Sequence, residues 1–104
     1  MKLWVDDIRP MPEDYDIHVR SSDAAINVLK HFVITEISLD HDLGSSNDKT
    51  GYTVACFIEE RAKCGQLSTM KWNIHSSNPV GVAKIKSALL NADKYWQDKN
   101  DGKD

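Results

Sequence analysis

The sequence predicts an α/β fold built on a small, mostly parallel sheet, and three features point there. Short apolar runs of strand type alternate with longer stretches of helical period, turn and capping residues separate them, and charged residues gather directly behind the strand-like runs. A chain of 104 residues is long enough for one core and too short for two. One domain is expected over residues 1–96, followed by a polar, flexible tail at 97–104.

The elements follow in order. Leu3, Trp4 and Val5 form a continuous apolar run that stops at Asp6-Asp7, as in a strand covered on both faces. IRPMPEDY, residues 8–15, reads as a loop because of its prolines and acids. Ile17 and Val19 alternate with His18 and Arg20 in a short second strand. Ser21, Ser22 and Asp23 offer N-cap chemistry to a helix with Ala25, Val28, Leu29 and Phe32 on its apolar side. Val33 to Asp40 reads as the third strand, Ile37 and Leu39 sharing a face. The polar loop GSSNDK, Gly44 to Lys49, leads through Thr50-Gly51 into a helix striped by Val54, Ile58 and Ala62, with Gly65 as its C′ residue. Met70 to His75 alternates as an edge or half-covered strand. Asn78-Pro79 is an N-cap and N1 pair for a last helix striped by Val82, Ile85, Leu89, Ala92 and Trp96.

Composition removes several classes of function. Hydrophobic residues make up 40% and charged residues 28%, and no apolar run approaches the length of a membrane span. The opening MKLWVDD meets two acids at once, without the apolar core of a secretory signal. The expected compartment is therefore the cytoplasm, that of the host if the source is viral. Cys56 and Cys64 lie eight positions apart in the second helix, roughly 12 Å along its axis, so they are expected to be reduced. A net charge of −3 argues against duplex nucleic acid as a partner. A phosphate-bearing ligand remains compatible with it, provided something cationic mediates.

The unusual residues share one edge of this fold. Asp6-Asp7 ends the first strand, Asp40-His41-Asp42 the third, and His75-Ser76-Ser77-Asn78 the fourth. Ligands of open parallel sheets bind beyond these C-terminal strand ends. Carboxylates converging there repel one another, and a divalent metal held by Asp6, Asp7, Asp40 and Asp42 is the simplest remedy. Oxygen donors favour Mg²⁺ or Mn²⁺. Arg9 offers a fork to a phosphate, and the start of the last helix adds free N–H groups. Each cluster also has a structural reading, since aspartate at a strand end caps turns. His18 and His31, away from the favoured edge, are read as structural.

These residues resemble the receiver (phosphoacceptor) domain of two-component signalling. On that resemblance Asp6 and Asp7 match its metal-binding acids, Asp40 its phosphoacceptor, and Ser76 or Ser77 its hydroxyl. The implied fold is a three-layer, flavodoxin-like one with a reduced four-stranded sheet of order 2-1-3-4. The first crossover helix and the fifth strand, with the lysine that receivers carry at its end, are missing. LWVDDIRP, ISLDHDLG, TGYTVA and WNIHSSNPVG more closely resemble the cyclic-phosphate processing receiver domains, over residues 1 to about 96.

That resemblance implies a metal-dependent phosphodiesterase acting on a cyclic phosphate or cyclic (oligo)nucleotide, and suits a phage or bacterial counter-defence protein that degrades cyclic-nucleotide immune signals. In the expected mechanism Asp40 and the other acids hold Mn²⁺ or Mg²⁺, and His41 or His75 transfers protons. Arg9, Ser76, Ser77 and Asn78 hold the phosphate, and Tyr52 stacks on a base. Two rivals share the same residues: a noncatalytic module phosphorylated on Asp40, and a sponge that binds a cyclic nucleotide without cutting it. A domain this small with exposed aromatics can also form a homodimer to complete a pocket.

Overall fold

Alternation decides which way each strand faces. In the computed structural model, which describes residues 1–43 and 49–101, four strands form one parallel sheet in the order β2-β1-β3-β4. They are β1 (Lys2–Val5), β2 (Ile17–Val19), β3 (Glu36–Leu39) and β4 (Lys71–Ile74). Leu3 pairs with Ile17 and Ile37, Val5 with Val19 and Leu39, and Ile37 and Leu39 with Trp72 and Ile74. One face is therefore apolar throughout. The other carries Trp4, Ser38 and Asn73 in the same register.

Three helices cover the apolar face: α1 (Ser22–His31), α2 (Gly51–Lys63) and α3 (Pro79–Asp101). From β2 to β3 to β4 the chain steps across the sheet in one direction, and right-handed crossovers then put every connecting helix on the same side. Ala25 and Leu29 of α1, Val54 and Ile58 of α2 and Ile85 and Leu89 of α3 join Leu3, Val5, Ile37 and Leu39 in a single buried cluster. The α/β class and strand order are those predicted, but the layering differs. Among the described residues the helices occupy one side, because the step from β1 to β2 runs the opposite way and carries no helix. What covers part of the other face is the loop after β1: Tyr15 lies edge-on to Trp4 at 5.3 Å and donates to Glu36.

Caps set the helix boundaries. The Ser21 hydroxyl accepts from the Ala24 N–H, and Thr50 and Thr53 exchange side-chain bonds in a capping box. The Asn78 side chain accepts from Gly81 N–H ahead of Pro79. At the end of α2, Gly65 has φ of 72°, and Gly65 and Gln66 return N–H bonds to Ala62 and Arg61. This is the Schellman closure that glycine permits.

Some boundaries move. β3 starts at Glu36 rather than Val33, which is exposed, and Phe32 is an exposed C-cap rather than part of the α1 stripe. β4 is one residue shorter at each end than predicted, and α3 continues to Asp101. Cys56 is half-buried, Cys64 is exposed, and both are free. Of the polar loop 44–49, residues 44–48 lie outside the described residues, as does the tail at 102–104. Among the described residues no helix is long and apolar enough to cross a membrane.

Candidate metal and phosphate site

The parallel ladder runs one residue past each strand and pins the site. Asp6 N–H donates to Val19, Asp40 N–H to Val5 and His75 N–H to Leu39, at 3.0–3.1 Å. Asp6, Asp40 and His75 thus end neighbouring strands on the face of Trp4 and Ser38, away from the helices. Oxygens of Asp6, Asp7 and Asp40 lie within 4.8 Å of one another, although Asp6 and Asp40 are buried. Asp7 Oδ1 is buried with no hydrogen-bond partner. Acceptor-only oxygens that converge, one of them buried and unpaired, fit a hard divalent cation.

Asp6 is the most heavily bonded of the three. Its Oδ1 accepts from the N–H groups of Ile8 and Arg9 at 2.8 and 2.9 Å, and its Oδ2 from Arg9 Nη1 and His75 Nε2 at 3.0 and 2.9 Å. Burial alone would raise its pKa, but the bonds from Arg9, Ile8 and His75 outweigh burial and hold it at about 2. Arg9 Nη1 also comes within 3.4 Å of Asp40 Oδ2, so the guanidinium predicted to hold a phosphate here spans two carboxylates. His18 and Arg20 support the same turn through the carbonyls of Asp6 and Asp7.

His75 is enclosed. Its side chain is only 12% exposed, and its ring stacks on Trp4 at 3.9 Å and 5°. Nδ1 lies 2.7 Å from the Ser38 hydroxyl, which in turn accepts from Asn73. A carboxylate can only accept, so the proton of neutral His75 sits on Nε2 toward Asp6, and Ser38 donates to Nδ1. Burial pushes the imidazole below its ordinary pKa, against the pull of Asp6.

The DHD turn splits in two. Asp40 joins the acids, whereas His41 lies against α3, where a Cβ on Gly81 would come within 2.7 Å of three of its ring atoms. Gly51 is required in the same way: a Cβ there would collide with the Asp40 carbonyl, and its N–H donates to His41 O at 2.8 Å. Two of the predicted motifs, TGYTVA and NPVG, thus supply glycines that let α2 and α3 close on the turn.

Asp42, predicted as a fourth metal ligand, is not part of the acid cluster. Its carboxylate, 65% exposed, pairs with His41 Nδ1 at 2.9 Å, a bond that lowers its pKa, and it meets the Asn78 amide at 3.5 Å. Asn78 Oδ1 and the Ser76 hydroxyl are engaged in the turn that starts α3, while Ser77 is exposed. Tyr52 follows the N-cap of α2, its hydroxyl raised in pKa by a bond with Cys56 and its ring 5.9 Å from the Lys84 ammonium.

Sequence reasoning missed Trp4, Ser38 and Asn73 as partners of the site. The one available signal was a serine set between the apolar Ile37 and Leu39 of β3.

No curated protein and no solved structure matches the chain. A family model does, over residues 1–91, a span that holds every residue of the acid cluster and both histidines beside it. By that match the chain belongs to the cyclic-phosphate processing receiver domain family.

Proposed function

We propose that this domain is a metal-dependent phosphodiesterase that opens a cyclic phosphate, free or within a cyclic (oligo)nucleotide. The observation that carries the reading is the convergence of Asp6, Asp7 and Asp40 with a buried, unpaired Asp7 oxygen. Asp6, Asp7 and Asp40 would hold Mg²⁺ or Mn²⁺, which when bound neutralises phosphate charge and lowers the pKa of water.

The remaining work belongs to side chains. Arg9 orients the phosphate through its fork. His41 donates its Nδ1–H to Asp42, so in the neutral ring the lone pair lies on Nε2, which serves as base. Water oxygen attacks phosphorus, the water proton passes to Nε2, the ring P–O bond breaks, and the same proton goes to the leaving oxygen. His75 takes no part in that transfer, both its nitrogens being engaged. Tyr52, Ser76, Ser77 and Asn78 border the phosphate or base. Such an activity suits removal of a cyclic-nucleotide immune signal in the cytoplasm, as a phage or bacterial counter-defence.

The test is a panel of cyclic mono-, di- and trinucleotides and RNA ending in a 2′,3′-cyclic phosphate, incubated with Mn²⁺ or chelator and resolved by chromatography. Linear product that needs metal and disappears in Asp40→Asn supports the reading. Intact ligand recovered from a denatured complex would favour the sponge, and a phosphoryl adduct on Asp40 after exposure to a small phosphodonor would favour the signalling module.

A further inference from the structure

Asp6 has no acceptor site to spare. A carboxylate offers about four lone-pair positions, and here the Ile8 N–H, the Arg9 N–H, Arg9 Nη1 and His75 Nε2 fill them at 2.8–3.0 Å. A bond from Asp6 to a cation therefore has to displace one of these donors. Two are main-chain N–H groups of the turn itself. The third belongs to an imidazole stacked on Trp4 and held at its other nitrogen by Ser38. Only the Arg9 guanidinium is free to leave: its side chain is 44% exposed, and its main chain stays anchored, because Trp4 Nε1 donates to the Arg9 carbonyl.

We propose that Arg9 is a displaceable counter-cation, bridging Asp6 and Asp40 until a divalent cation takes them, and that the released guanidinium then binds the anionic oxygens of the phosphate. This rests on the metal site proposed above and adds a coupling to it. Without an anion, metal entry strands a guanidinium beside a like charge and breaks its two carboxylate contacts, so metal binds weakly. With a phosphate present the guanidinium has a new partner, and metal binds more tightly. By linkage the metal tightens anion binding by the same factor. The domain would thus load metal and phosphate together, and a single arginine would set that order.

Calorimetric titration of Mg²⁺ into the wild-type chain and Arg9→Gln, each with and without inorganic phosphate, tests this. Without phosphate, Arg9→Gln should bind Mg²⁺ about tenfold more tightly than wild type, and phosphate should tighten Mg²⁺ about tenfold in wild type but not in the variant. Equal Mg²⁺ affinity of the two proteins without phosphate, or equal tightening by phosphate, overturns the proposal while leaving the metal site standing. Absence of Mg²⁺ binding in both proteins overturns the metal site and the proposal with it. Circular dichroism checks folding. Should Arg9→Gln not fold, Arg9→Lys carries the test: it keeps the charge without the fork and should show weaker coupling, and wild-type coupling in it overturns the proposal.

Discussion

Two histidines stand at the same edge of the sheet and have opposite environments. His75 ends β4 on the helix-free face, with a ring stacked on Trp4 and both nitrogens committed to Ser38 and Asp6. His41 lies on the helix side against Gly81, with one nitrogen committed to Asp42. An imidazole saturated with partners can fix an acid but cannot carry a proton, whereas one tied at a single nitrogen can do the second. Residue type therefore says little here. Strand register and the free lone pair set the two apart.

The largest expected effect separates the two by rate. His41→Ala should lower kcat by about 10²- to 10⁴-fold, the usual range for loss of a general base, with metal affinity unchanged by calorimetry. A His41→Ala enzyme with wild-type kcat would remove it from the chemistry. Next is the complementary variant. His75→Ala should weaken Mg²⁺ or Mn²⁺ binding by about 10- to 100-fold, because the loss of the bond that aims the Asp6 carboxylate outweighs the acceptor position it opens. It should also destabilise the fold by about 1–3 kcal/mol through the stranded Ser38 hydroxyl and the freed Asp6 oxygen. Chemical denaturation and metal titration read these separately.

The smallest effect is in pH dependence. The Asp6 carboxyl is held at about 2 against an ordinary 3.8, so its contribution, about 2 kcal/mol, is complete above pH 3.8 and disappears as pH falls through 2. His75 sits below its ordinary 6.5, so folding favours its neutral form, and stability declines as pH drops below 6.5 and the unfolded chain takes up the proton. Urea unfolding across pH should show both declines in wild type. His75→Ala should lack the upper one and His41→Ala should retain it, an assignment that the reverse result would refute.

Much of the fold was legible because it depends on local chemistry. Ser21, Thr50, Asn78 and Gly65 mark helix ends through bonds to neighbours a few residues away, and the strand-end acids were located by counting. Which side the helices take was harder to read, since it follows from strand order rather than composition. Val33 reads as strand by type, yet pairing begins only at Glu36. The site was half legible. Its acids announce themselves, but the bond from His75 to Asp6 spans 69 residues and that from His75 to Ser38 spans 37. Nothing in the local sequence tells a histidine bonded at both nitrogens from one bonded at a single nitrogen, nor an arginine open to an anion from one lying on carboxylates.

Ser38 sits on the strand between Trp4 and His75, whose rings meet over it. A bulkier residue at that position would wedge the aromatic pair apart and swing the imidazole off its carboxylate. The volume of one side chain, which touches the imidazole and not the carboxylate, thereby governs how steadily Asp6 keeps its aim.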